Sequence, residues 1–205
     1  MKGHRSTADG YVSILKSLQR SGDKVQIGPE MTHEISPWNG SFAYPRDRLI
    51  NPVGRKLNYA FCIAEMVDIL CCDNPGTAPE YNKNVRNWMV RGKFPGHYGV
   101  RMNAMAYDSM MQKPNQLYRC FTELSERPTS RRAVITIHNP MLEAYDSKDV
   151  ACTMSLQYLI RNDKLHAITT MRSNDALWGF CYDTWLFQFL QEALAGMLGV
   201  GLGSY

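Results

Sequence analysis

Apolar residues recur along this chain in two rhythms, one near 3.6 residues and one of two, and their order predicts the architecture. Tyr11, Ile14, Leu15 and Leu18 fall on one helical face and "RSGD" follows as a stop, so the first long element is an amphipathic helix. Between Lys24 and Tyr44, short β-prone pieces are broken by "GPE", "SPWNGS" and "YPRD", a pattern of strands and turns at the rim of a sheet. "NYAFCIAEMVDILCC", Asn58 to Cys72, is apolar on most sides: Phe61, Ala64, Asp68 and Cys72 share one face while Ile63, Val67 and Leu70 occupy another. That distribution predicts a centrally placed helix.

"DNPGTAPE", Asp73 to Glu80, is a turn-rich loop before a shorter polar helix around Tyr81 to Met89. "NQLYRCFTELSERP" reads as a helix ended by Pro128, and "RRAVITIHN" after it as a β-branched strand. "CTMSLQYLIRNDKLHAITTMRS" alternates as two strands around a turn at "RND", and "DTWLFQFLQEALAGML" is a long core helix. Helices mixed with adjacent antiparallel strands give the class α+β, in a single domain spanning 1–205. The glycines of "GMLGVGLGSY" lack the strand before and the helix after that a dinucleotide-binding loop needs.

Length and charge narrow the partners. A chain of 205 residues buries a substantial core, and 23 basic against 19 acidic residues give a formal charge of +4 without a like-charge run. Anionic small molecules fit that balance better than nucleic acid does. "MKGHRSTADG" has no apolar signal region, and the apolar stretch near the C-terminus is interrupted by Gln191 and Glu192, so no membrane partner is expected. The six cysteines form neither a disulfide framework nor a C-x-x-C metal or redox site, which implies no metal and a reducing cytoplasm. Cys62, Cys71, Cys72, Cys120 and Cys181 lie in or beside apolar helical patterns and read as small core residues.

One stretch resists that picture. "MRSNDALWGFCYDTW" sets Asp175 and Asp183 among Leu177, Trp178, Phe180, Tyr182 and Trp185, although an ionised carboxylate is costly to bury. Pattern alone leaves Asp183 open between a cap for the helix that follows and a functional carboxyl.

"TSRRAVITIHNP", "DVACTMSLQYLIRNDKLHAITTMRSNDALWGF" and "YDTWLFQFLQEALAGMLG", taken in that order, resemble the thymidylate synthase superfamily, with "AFCIAEMVDIL" similar to its Glu-bearing helix and "GHYGVRM" to its Tyr-Gly loop. The resemblance implies a mixed, largely antiparallel sheet packed with helices and a homodimer formed through the sheet face, with shared active sites. Within the superfamily the chain resembles the cytidylate 5-hydroxymethylases, which act on dCMP in phage or on CMP in nucleoside-antibiotic pathways. Thr153 follows the cysteine where synthases carry histidine, and Asp183 stands where uracil-specific members carry asparagine.

The resemblance implies the roles. Cys152 is the nucleophile for carbon 6 of the pyrimidine, Glu65 the carboxylate that orders water and moves protons, and Tyr98 the tyrosine near the nucleophile. Arg172 with Ser173 holds the substrate phosphate, and Arg131 and Arg132 reach it from the partner subunit. Asp183 pairs with the base edge, Asp175 touches the base edge and the pterin, and Trp88 and Trp178 line the folate side. The implied co-reactant is 5,10-methylenetetrahydrofolate. Thr153 together with Glu65 favours water over hydride in the last step, so the expected product is a 5-hydroxymethyl nucleotide. Reductive methylation of dUMP and a nucleotide-binding dimer without turnover are the alternatives. Weak phage-like closeness outside the core motifs points to CMP rather than dCMP, and the chain is expected to lack the family's C-terminal strand and closing tail.

Overall fold

The computed structural model describes residues 2–52, 54–104, 116–140, 143 and 147–205. Its elements run, in chain order, as β1 (Lys2–His4), α1 (Thr7–Ser21), β2 (Asp23–Ile27), β3 (Glu30–Glu34), β4 (Gly40–Phe42), α2 (Tyr59–Cys71), α3 (Ala78–Tyr81), a 3-10 turn (Lys83–Trp88), α4 (Tyr98–Ala104), α5 (Gln116–Glu126), β5 (Val134–Thr136), β6 (Thr153–Arg161), β7 (Lys164–Met171), α6 (Gly179–Leu198) and β8 (Gly201–Leu202).

The long hairpin β6–β7 forms because β-branched and aromatic residues alternate over its length and Asn162 and Asp163 take positive φ at the turn. β5 pairs antiparallel on one side of it and β8 parallel on the other, in the order β5-β6-β7-β8. Inward residues Leu156, Tyr158, Ile160, Leu165 and Ala167 meet Leu186, Phe187, Leu190 and Leu194 of α6 in one buried cluster. The N-terminal turn of α6, through Phe180, Cys181 and Tyr182, enters a second cluster with Tyr11, Phe42, Phe61 and Ala64. α6 thus joins both halves of the core, and Asp183 follows directly on its residues in the second cluster.

The sheet does not stop at β8. Ala167 N–H donates to Ser204 O at 3.1 Å, while Phe42 and Tyr205 exchange backbone bonds of 2.7 and 3.0 Å. Residues 201–205 therefore lie between β7 and β4, and β4 pairs in turn with β1. α1 starts at a reciprocal cap between Ser6 and Asp9 and is tied to α6 by Thr7 and Gln188, whose side chains bond in both directions at 3.0 and 2.9 Å.

Several sequence expectations change. β2 and β3 form a separate two-stranded sheet rather than the rim of the main one. The polar segment after Asp73 breaks into α3 and a 3-10 turn, with Pro79 inside the first turn of α3. The Tyr-Gly segment is helical: Tyr98 opens α4, and Gly99 admits α2 so closely that a Cβ would collide with the carbonyl of Ile69. α2 buries only one face, since Ile63, Val67 and Leu70 are 52%, 45% and 47% exposed. Of the five cysteines read as core residues, Cys62, Cys120 and Cys181 are buried, but Cys71 is exposed and Cys72 half-buried at the helix end. The predicted helix beginning at Asn115 is described from Gln116 onward. No helix among the described residues is long and apolar enough to cross a membrane.

Candidate active site

Five elements bring chemically active side chains to one place: the start of β6, the end of β7, the first turn of α4, and the faces of α2 and α6 that meet behind them. Cys152 immediately precedes β6, and the register shifts between Thr153 and Ser155, an irregularity of the kind that re-aims a side chain. Arg172 follows β7. Its Nη2 lies 3.5 Å from Cys152 Sγ, and the guanidinium is held by Ala151 O at 3.1 Å and Val150 O at 2.9 Å. Ser173 comes next, exposed.

Tyr98 stacks on Phe187 of α6 with ring centroids 5.9 Å apart, and its hydroxyl accepts a hydrogen bond from Thr153 Oγ1 at 3.1 Å. The charges of Asp183, Cys152 and Glu65 all bear on that phenol. The segment before Cys152 is pinned to the turn before Tyr98 at two points. Asp149 accepts from Gly96 N–H at 2.7 Å, and the buried Arg101 pairs with Glu143 at 2.9 Å while also donating to Pro95 O. Sequence patterns gave no sign of these ties, because they connect residues more than 40 positions apart.

The two aspartates divide their work. Asp175 accepts from the N–H groups of Leu177, Trp178 and Gly179 at 2.9, 2.7 and 2.7 Å, so it anchors the N-terminus of α6. Asp183 lies within α6 and has no capping role. Among the described residues no donor reaches the Asp183 carboxyl, and none reaches Glu65.

Electrostatics follow from this crowding. Desolvation holds the Asp183 carboxyl well above the usual carboxylate range, with Glu65 and Asp175 adding to the rise. Glu65 is pushed up from 4.5 to about 7, by desolvation first and by Asp68 second. Burial also pushes the Cys152 thiol up. Arg172 pulls it down, but Asp183, Asp149 and Asp175 oppose that pull, so the sulfur rests as a thiol and not as the thiolate expected from the arginine alone.

Glu65 carries a measurable consequence. The folded chain keeps a proton here that the unfolded chain loses near pH 4.5, so stability declines from there to about pH 7 and levels off above. Glu65→Gln is expected to match the wild type at pH 4 and to exceed it by about 3 kcal/mol at pH 8, measured by urea unfolding.

Beside Asp175 opens a cleft of about 380 Å³ lined by Arg55, Lys56, Asn58, Asn82, Leu177, Trp178 and Tyr182. Arg55 Nε is buried there without a partner, although its Nη2 donates to Leu177 O at 2.7 Å. The sequence patterns did not point to this cleft, although the adjacent cations Arg55 and Lys56 just before the helix predicted at Asn58 are a signal that could have found it. Trp178 belongs to it, whereas Trp88 is exposed on the 3-10 turn with no described contact to it. Arg131 and Arg132 are exposed ahead of β5. Gln157 donates to Arg131 O and Tyr158 N–H to Ala133 O, which sets the pair about 20 Å along β6 from Cys152. They do not join the other site residues within one chain.

The family model described as "Thymidylate synthase" matches residues 33–205. The chain belongs to the thymidylate synthase family. Its relatives place it with the hydroxymethyltransferase branch of that superfamily. It is 32% identical to the deoxyuridylate hydroxymethyltransferase of Bacillus phage SP01 over 95% of this chain and 53% of that one. It is 34% identical to a provisionally named thymidylate synthase of Methanocaldococcus jannaschii over 98% of this chain and 83% of that one. Against the deoxycytidylate 5-hydroxymethyltransferase of Enterobacteria phage T4 the identity is 30%, over 63% of this chain and 51% of that one. The chain thus spans about half the length of these phage relatives. A phage match across 95% of the chain also removes the reason for preferring CMP over dCMP.

Proposed function

We propose that this protein is a cytidylate 5-hydroxymethyltransferase, acting on dCMP or CMP with 5,10-methylenetetrahydrofolate and water. The observation that carries the proposal is the Asp183 carboxyl: half-buried, without a protein donor, free of any capping duty, and standing with Cys152, Tyr98 and Glu65.

A neutral carboxyl presents one O–H donor and one C=O acceptor. Cytosine offers N3 as acceptor and its 4-amino group as donor, so both bonds form. Uracil could also meet a neutral carboxyl with the two oxygens exchanged. The difference is that N3 of cytosine is basic and takes the proton toward itself, giving a charge-assisted pair, whereas O4 of uracil is a weak base. Proton donation to N3 also draws electrons from the ring and readies carbon 6 for attack by sulfur.

Cys152 then adds to carbon 6, its proton passing to Glu65, which is partly ionised at neutral pH. The cleft beside Asp175 suits a folate: Trp178 and Tyr182 offer aromatic faces, and Arg55, with its orphaned Nε, and Lys56 match an acidic tail. Bound there, methylenetetrahydrofolate supplies a one-carbon unit to carbon 5. Asp175 precedes the cleft residues Leu177 and Trp178 in the chain, and its charge bears on Asp183.

Arg172 serves the substrate phosphate with Ser173. The distance of Arg131 and Arg132 from Cys152 in their own chain supports their delivery across a homodimer. Val134, Met154 and Ile168, exposed on β5–β7, supply an apolar sheet face for that dimer. A second possibility, hydroxymethylation of a uridylate, is favoured by the wider match to the SP01 enzyme. The test is turnover of CMP, dCMP, UMP and dUMP with methylenetetrahydrofolate. Hydroxymethylated cytidylate without dihydrofolate absorbance supports the proposal, dihydrofolate formed with dUMP makes the protein a synthase, and release of no carbon-5 proton from any of the four makes it a binding protein.

A further inference from the structure

Thr153 is fully buried at the first position of β6, yet its hydroxyl is not spent on its own strand: it lies 3.1 Å from the Tyr98 hydroxyl. Each hydroxyl has one proton to give. With Thr153 donating, one lone pair of the phenol oxygen is taken, and the phenol's own proton must point elsewhere. The titratable groups that bear on that phenol are Asp183, Cys152 and Glu65. The ring cannot swing aside, because it is stacked on Phe187 and its backbone opens α4 against α2.

We infer that Thr153 is a positioning residue that fixes the proton of Tyr98 toward the substrate space, so that the phenol holds by its oxygen the water consumed in the last step. The inference rests on the hydroxymethyltransferase proposal and deepens it. Once carbon 5 carries an exocyclic methylene, that water forms a C–O bond to the methylene carbon and gives its proton to the Glu65 carboxylate. The methylene π pair moves to form the ring double bond between carbons 5 and 6, and the C–S bond breaks with its electrons leaving on Cys152. A histidine following the cysteine would place a two-nitrogen ring where Thr153 offers one small rotatable donor, and the phenol proton would have a competing acceptor.

Thr153→Val keeps the shape and removes the donor, whereas Thr153→Ser keeps the donor. The Val variant is expected to lose about tenfold in kcat for hydroxymethyl product with KM for the nucleotide unchanged, and the Ser variant to retain at least about a third of the rate. Independently of turnover, the 13Cζ resonance of Tyr98 in tyrosine-labelled protein, assigned through its absence in Tyr98→Phe, is expected to shift in the Val variant and stay in place in the Ser variant. An unchanged rate and resonance in Thr153→Val, or equal losses in both variants, would overturn the inference. If the wild type makes no hydroxymethyl product, the functional proposal fails by itself. Carbon-5 proton exchange in the same two variants, with the resonance, then decides the role of Thr153.

Discussion

Under the proposed function, Asp183→Asn is expected to turn preference from cytosine to uracil nucleotides, changing the ratio of kcat/KM values for dCMP and dUMP by about two to four orders of magnitude. Two buried pairings are at stake, and each left unmade costs about 1 to 3 kcal/mol. A carboxamide keeps a donor and an acceptor but cannot release a proton to cytosine N3, so the charge-assisted pair is lost. With uracil the same amide bonds N3–H through its oxygen and O4 through its nitrogen. The change is nearly isosteric and removes a half-buried acid whose ionisation is disfavoured, so the variant is expected to fold at least as stably as the wild type. Steady-state kinetics on both nucleotides provide the check, and an unaltered ratio would show that residue 183 does not read the base.

Cys152→Ala is expected to abolish turnover, by about four orders of magnitude or more, together with exchange of the carbon-5 proton in the absence of folate. Nucleotide binding should persist, because Arg172 keeps its bonds to Val150 O and Ala151 O when its contact to the sulfur is lost. In the wild type, burial keeps the sulfur protonated, so its attack needs an ionised Glu65 to take the thiol proton, and burial pushes that carboxyl up to about 7. Exchange should therefore slow as pH falls below about 7. Tritium release from labelled dCMP across pH measures this directly, and full exchange by Cys152→Ala would remove sulfur from the chemistry.

Much of the fold is legible in the sequence where a local rhythm meets a local need. The β6–β7 hairpin alternates cleanly around a turn whose Asn162 and Asp163 tolerate positive φ, and α6 is apolar enough on every side to demand burial at both ends. The burial of α2 was misread for a related reason: counting apolar residues does not say which stripe the neighbours cover. α6 and α4 pack on α2, yet Ile63, Val67 and Leu70 stay exposed.

The site is legible in its parts and not in its assembly. Residue types and motif order pick out Cys152, Asp183, Glu65 and Tyr98, but which aspartate caps α6 depends on a turn of backbone that carries no separate pattern. Asp175 holds the N–H groups of Leu177, Trp178 and Gly179, and Asp183 is left without a capping duty. The ties from Asp149 to Gly96, from Glu143 to Arg101 and from Thr153 to Tyr98 span 53, 42 and 55 residues. Nothing in a linear reading joins such distant polar groups, because each satisfies its bonding only after the chain has closed.

The backbone exchange between Phe42 and Tyr205 reaches further than topology. Residues 201–205 lend one edge to β7 and the other to β4, so opening the seam would expose unpaired amides on both sides at once. β1, β4 and the sheet β5–β8 are consequently expected to melt as one foldon, with the hydrogen-exchange protection of Phe42 rising and falling with that of Ala167.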